Sequence, residues 1–358
     1  MPIDTPQQLQ DHLRLAIQVE LSTIPLYLFA MYSIEDQGSE AALLIRSIVA
    51  EEMLHAALAA NVLLAVGGDP RFDALDMVPT YPGMLPHHEP PLELNLVPCS
   101  LELIRDVLMR IEQPEVHGAS PEPDVYETLG QFYHALEMAI QDLSASQDLF
   151  AEPQADRQLS DSSAYTPVAF DAADSGGLML IDSADSAREA IEVIVHQGEG
   201  LSTDRWADPA HQELTHYHKL LQIAEGASPL GAVRQLRSNP RTADFPDALQ
   251  PPSDLFNASY RYLFFVLQDL FSAVPNKGAF VGHMYRVMSQ VLSRLGLFLV
   301  QQPLDDATFA APTFEIYDFG GRDPGSELAE LAAKTAQLFP ELTDLEAAVL
   351  ELKPGDEE

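Results

Sequence analysis

At 358 residues the chain exceeds one typical domain and can bury a sizeable core. Its 55 acidic against 19 basic residues give a formal charge of −36, which argues against nucleic acid or an anionic membrane as partner and for high solubility or a saline habitat. One cysteine, Cys99, excludes an internal disulfide; no secretory start pattern and no long charge-free apolar run is present, so a cytoplasmic protein is expected.

The spacing predicts a first helix over residues 6–35, with Thr5 as cap and Pro6 at its start. Its inward seam runs Leu13, Ile17, Glu20, Ile24, Tyr27, Met31, and Glu20 is the one charged residue on it. Pro25 follows one turn later, where it frees the carbonyl of Leu21 and can kink the helix. A short link then leads to a second helix, Ser39 to Val66, antiparallel to the first, so that Glu20 and Glu52 come at similar depth.

This second helix is the centre of the argument. Steps of four and three give the seam Ala41, Ile45, Ile48, Glu52, His55, Ala59, Val62, Val66, with a carboxylate and an imidazole in its middle. A buried carboxylate costs several kcal/mol unless compensated, and a Glu-x-x-His pair facing into a helical bundle is the pattern of a di-iron or di-manganese carboxylate site. Glu51 falls off the seam and is expected to face solvent or to support a ligand from behind.

Gly67-Gly68-Asp69-Pro70 ends the helix, and residues 69–98 form a proline-rich crossover whose His87-His88 pair is expected at the surface. Ser100 caps a helix to about Glu112, and Asp124 to Leu143 forms the next. Glu137 sits beside that helix's seam; rotation by about 100° would turn Tyr126, Gly130, Tyr133, Glu137 and Ile140 inward and make it a reserve ligand. Residues 144–178 read as an exposed excursion, and Ser183 to Gln197 as a helix ending in His196-Gln197-Gly198-Glu199-Gly200. The two glycines there either cap the helix or let the backbone approach a group beside Glu199. A further helix, Ala210 to Glu225, carries a second Glu-x-x-His pair, Glu213 and His216. Two such pairs on separate helices are far less expected by chance than one.

Residues 227–254 read as a linker. Leu255 to Phe271 and Gly278 to Val300 follow as helices with broad apolar faces that dock on the bundle, with His283 at the surface or in a capping role. The segment Thr313 to Phe319 and helices Ser326 to Phe339 and Thr343 to about Leu352 complete the chain. The expected division is a metal-binding bundle over residues 1–226 and a C-terminal helical domain over 250–353.

Several stretches, IQVELSTIPLYLFAMYSI, IVAEEMLHAALAANVLLAVGGDP, YPGMLP, TLGQFY, IVHQGEG, ELTHYHKL, NASYRYLFFVL and PTFEIYDF, carry a resemblance. The chain resembles the ferritin-like family associated with the iminophenylpyruvate dimer synthases of bis-indole (violacein and rebeccamycin type) pathways. The resemblance implies an all-α ferritin-like four-helix bundle with long crossover loops and a metal site. Carried over residue by residue, the ligands are Glu20, Glu52, His55, Glu213 and His216, with Glu199 chosen for the remaining carboxylate and Glu137 its alternative.

A carboxylate-rich set with two imidazoles suits iron, two ions being expected, with manganese or zinc as alternatives, over oxygen-only calcium. The leading expectation is a di-iron-type oxidoreductase acting on a small, aromatic or amino-acid-derived substrate, with the loops and C-terminal helices roofing the site. The alternative is a non-catalytic metal-binding or interaction protein whose ion ties helices together. An open position beside a cavity lined by residues such as Tyr27, Tyr133 and Trp206 would separate the two.

Overall fold

A computed structural model describes residues 3–115, 119–161, 177–198, 214–274 and 277–352. Helix α1 spans Pro6–Ser33 and α2 Glu40–Ala65. Thr5 and Gln8 form a reciprocal capping box at the start of α1, and Ser39 caps α2 through the amide of Ala42. Pro25 leaves α1 unbroken, and Tyr81 from the crossover donates to the Ser22 carbonyl at 2.6 Å just before the proline.

Helix α3 occupies residues 101–111, capped by Ser100, with a π-helical stretch Ile104–Leu108 in its middle. Helix α4 is Leu129–Ser146, α5 is Ala184–Gly198 and α6 is His216–Ala224. Helices α1, α2, α5 and α4 pack in a ring, each on the next, which makes the four-helix bundle. Helix α2 is buried on nearly every side because it also receives α6. Helix α3 packs on α6 outside the ring, and Arg105 fixes the pair through the Ala224 carbonyl at 2.5 Å.

By length and composition α1 and α2 could cross a membrane, but 78% and 89% of their apolar windows are buried inside the protein, as core helices are. The C-terminal helices are α7 (Gln250–Leu270), α8 (residues 277–299, with a π-helical stretch Arg286–Leu292), α9 (Pro324–Leu338) and α10 (Thr343–Leu350). They share one continuous apolar core with the bundle. Phe271 packs against Phe72 with ring centroids 5.1 Å apart and the rings tilted by 36°, and Arg261 donates to the Asp73 carbonyl at 2.6 Å. Asn257 on α7 holds the segment before α9 through Thr313 Oγ1 at 2.7 Å and the Glu315 amide at 3.1 Å.

Four expectations change. Helix α4 begins at Leu129, not Asp124, because Tyr126 is held in the preceding loop by the carbonyls of His87 and Pro86, and Thr128 then caps the helix through Gln131. Helix α6 begins at His216 because Thr215 adopts an extended conformation and caps it through His218; residues 210–213 of the expected helix lie outside the described residues. The stretch after α4 is not wholly an exposed excursion: Gln158, Leu159, Leu178 and Ile181 are buried, and Asn61 of α2 clamps the backbone carbonyl and amide of Leu159 at 2.8 and 2.9 Å. His88 is buried edge-on against Tyr126 and bonded to the Pro90 carbonyl, a packing role rather than a surface one.

Candidate metal centre

The seams place Glu20 of α1 and Glu52 and His55 of α2 in the bundle interior, each no more than 3% exposed. His216, the first residue of α6, enters the same space and is wholly buried. Its ring stacks on that of His55 with centroids 5.3 Å apart. His55 Nδ1 lies 3.5 Å from Glu20 Oε2, and His216 Nδ1 lies 3.0 Å from Glu52 Oε1. Glu52, His55 and His216 offer ligand atoms all within 4.8 Å of one another, a grouping able to hold a metal ion.

Glu112 was absent from the expected ligand set. It follows the last turn of α3, is 1% exposed, and brings Oε2 to 3.3 Å from His216 Nδ1. A signal existed: Ile104, Leu108 and Glu112 lie four residues apart, and the first two are fully buried. Glu137, half-buried one turn beyond Tyr133, is outside the cluster. Glu199 and Glu213 lie outside the described residues, as does Trp206. Gly198 is described: a Cβ built on it would stand 3.5 Å from Glu112 Oε2, so the end of α5 passes directly over that carboxylate.

Hydroxyls hold the carboxylates from behind. Tyr27 donates to Glu112, Tyr133 to Glu20, and Thr23 to Glu52 Oε2 at 2.5 Å. Burial, reinforced by Glu112 for Tyr27 and by Glu20 for Tyr133, pushes both phenols well above their ordinary range, so they remain donors. The imidazoles are braced as well: His55 Nε2 meets Gln197 Oε1 at 3.0 Å, and His216 Nε2 meets Glu51 Oε2 at 2.9 Å. Glu51 is buried, contrary to a solvent-facing role, and shares that oxygen with the ammonium of Lys219.

The electrostatics separate the two adjacent glutamates. Burial works against an ionised Glu51, but the His216 hydrogen bond and the Lys219 charge outweigh it and hold its carboxyl down at about 2. For Glu52 burial comes first, and the nearby charges of Glu112 and Glu20 add to it, pushing the carboxyl up to about 7. Burial opposes a charged His216, yet Glu112 and its other carboxylate neighbours raise it well above the usual histidine range. Among the described residues, no lysine or arginine pairs with Glu20, Glu52 or Glu112.

The residues fit a divalent cation on two counts. Among the described residues three carboxylates converge with no side-chain cation other than imidazole to offset them, and His216 Nδ1 is a buried polar atom without an aligned hydrogen bond. A small cavity meets the cluster from one side. Its walls are Leu129, Gly130 and Tyr133 of α4 and Ile194, Val195 and Gly198 of α5, and it reaches Glu20, Glu52, His55 and Glu112. Tyr27, Thr23 and the Glu51–Lys219 pair also pack on the cluster and do not line this cavity.

Fold and site together define a helical bundle of the carboxylate–histidine class. The chain belongs to the Ferritin-like family, whose family model matches residues 13–225. It is also similar to the crystal structure of a ferritin-like protein from Caulobacter vibrioides, at 25% identity and a TM-score of 0.59 over 81% of this chain and 98% of that one. No curated protein matches the chain.

Proposed function

We propose that the protein is a di-iron-type oxidoreductase, related to the iminophenylpyruvate dimer synthases, that acts on a small aromatic or amino-acid-derived molecule. The observation that carries this reading is the cavity that reaches Glu20, Glu52, His55 and Glu112 together. An ion serving only to tie helices needs no such approach and is best sealed by side chains.

Glu20, Glu52, Glu112, His55 and His216 would hold the metal, with Glu199 and Glu213 as further carboxylates in this proposal. Oxygen donors with two imidazoles favour iron, with manganese or zinc as competitors. Bound iron supplies the means to reduce dioxygen or peroxide with electrons from an organic substrate. The chain's own residues do the rest. Tyr27, Tyr133 and Thr23 orient the carboxylates, and Leu129, Ile194 and Val195 give the small cavity beside them apolar walls. With a net charge of −36, a neutral or cationic small molecule is a better partner than nucleic acid or an anionic membrane. The same proposal places the protein in the cytoplasm, in keeping with its single, free and buried Cys99.

The test is anaerobic reconstitution with iron(II) of protein purified without nickel, elemental analysis, and then oxygen-electrode measurements with aromatic amino and imino acids. About two iron ions per chain and substrate-dependent oxygen consumption are expected. Failure to retain iron, manganese or zinc overturns the metal reading. Retained iron with no oxygen consumption under any substrate returns the ion to a structural role.

A further inference from the structure

We infer that Glu51 and Lys219 are positioning residues for His216: they hold its imidazole with the proton on Nε2, so that it faces a metal ion through Nδ1. This rests on the metal-site reading above and adds which nitrogen binds and what decides it.

Glu51 and Glu52 are neighbours on α2, yet they serve opposite sides of the same imidazole. Glu52 Oε1 stands 3.0 Å from His216 Nδ1, and Glu51 Oε2 stands 2.9 Å from Nε2. A neutral imidazole carries one N–H and one lone pair. With the proton on Nε2, that N–H is donated to Glu51, and the lone pair at Nδ1 points among Glu52 and Glu112, where a cation would stand. The other tautomer would turn the Nε2 lone pair against those of Glu51 and leave an N–H where a metal should bind. Among the described residues Nδ1 makes no aligned hydrogen bond, although Glu52 and Glu112 stand 3.0 and 3.3 Å from it, so the competitor for a metal there is a proton.

Lys219 explains why Glu51 stays behind the ring. It lies three residues after His216 on α6, on the same helix face, and is 2% exposed. An ammonium buried that deeply requires a partner, and its partner is the oxygen that receives His216 Nε2. The pair therefore ties Glu51 to α6 and keeps it out of the carboxylate cluster. His55 is oriented the same way by different means, since its Nε2 meets the neutral amide oxygen of Gln197 at 3.0 Å. A carboxylate behind an imidazole makes it a stronger donor than an amide does, so the two histidines are unequal ligands.

The experiment uses the full chain, zinc as a diamagnetic probe, and two matched double variants. In E51Q/K219M the amide still accepts from Nε2; in E51L/K219M nothing does, and neither variant buries an unpaired charge. Long-range proton–nitrogen correlation spectra of the zinc-loaded wild type should show His216 protonated at Nε2 and bound at Nδ1. Zinc affinity should fall about 10- to 100-fold from wild type to E51L/K219M, with E51Q/K219M, which keeps an acceptor but loses the carboxylate and its ammonium, in between. Equal affinity of the two variants, or zinc on Nε2 of His216, overturns this inference and leaves the metal site standing. No zinc uptake by the wild type overturns both.

Discussion

Tyr133 of α4 donates its phenolic hydrogen to Glu20 of α1, joining two helices of the bundle at the carboxylate nearest His55. The bond fixes one Glu20 oxygen and leaves Oε2 turned toward His55 Nδ1, at 3.5 Å. Tyr133→Phe keeps the packing of the ring and removes only the donor. Iron affinity, read by competition with a chelator, is expected to fall about 10-fold with little change in helical content.

Glu112 and Glu137 can be separated by the same measurement. Glu112→Gln should cost as much metal as Glu52→Gln, on the order of 10-fold or more, because both carboxylates stand within 3.3 Å of His216 Nδ1. Glu137→Gln should retain the full metal content. A Glu137→Gln variant that loses metal would move the ligand set onto α4.

The metal-free protein should lose stability as pH rises. The folded-state carboxyl of Glu52, raised to about 7 from an ordinary 4.5, binds a proton that the unfolded chain has released across that interval. Stability from this group is therefore complete below about pH 4 and lost on the way to about pH 7, by up to about 3 kcal/mol. Raised His55 and His216 act in the same direction at higher pH, whereas Glu51, lowered to about 2, contributes stability that is lost only in acid. Urea midpoints of the metal-free protein should fall between pH 5 and 7, and Glu52→Gln should flatten that slope. Since a metal ion takes the proton's place, the stabilisation by added metal should grow over the same interval.

Packing between the bundle and the C-terminal helices can be tested at Gly296 of α8. A Cβ there would stand 2.8 Å and 2.9 Å from ring atoms of Tyr32 on α1, and Tyr32 is itself buried. Gly296→Ala should destabilise by about 1–3 kcal/mol, and Tyr32→Leu in the same chain should recover part of it. Thermal denaturation of the three variants checks the pair.

We propose further that residues 1–226 are the metal-binding unit and residues 250–353 a domain docked on it. Truncation near residue 245 should expose the apolar surface around Phe72 and Tyr32, lowering solubility and stability, while metal content stays. Complete loss of metal from a truncated chain that is still helical by circular dichroism would place a ligand beyond residue 245.

The seams of α1 and α2 made Glu20, Glu52 and His55 legible because a charged residue at a fully apolar helical spacing has few explanations. His216 was legible through its Glu-x-x-His spacing, but its helix was not: Thr215 competes with the periodicity by capping through its own hydroxyl, and propensity alone does not announce which threonine will do so. Glu112 was overlooked because it stands at a helix end before a proline-containing link, where charged residues ordinarily meet solvent. The bracing groups Tyr27, Tyr133, Gln197 and Lys219 come from four helices, and only their meeting in space reveals what they hold.

The centre gathers its groups from α1, α2, α3 and α6, with Glu20 and His216 at nearly opposite ends of the bundle's chain. An ion seated there would act as a cross-link between segments that meet late in folding, closing loops whose entropy the chain must otherwise forgo through packing alone. The hairpin of α1 and α2 has a long apolar interface of its own, whereas the short helix α6 and the end of α3 add to a few buried apolar residues, such as Leu220, Ile223 and Leu108, the charged groups His216 and Glu112. Cation supply and the order in which the architecture closes would thereby be coupled: without the metal the hairpin of α1 and α2 would still form, while α6, which brings His216 to the centre, would be held less firmly.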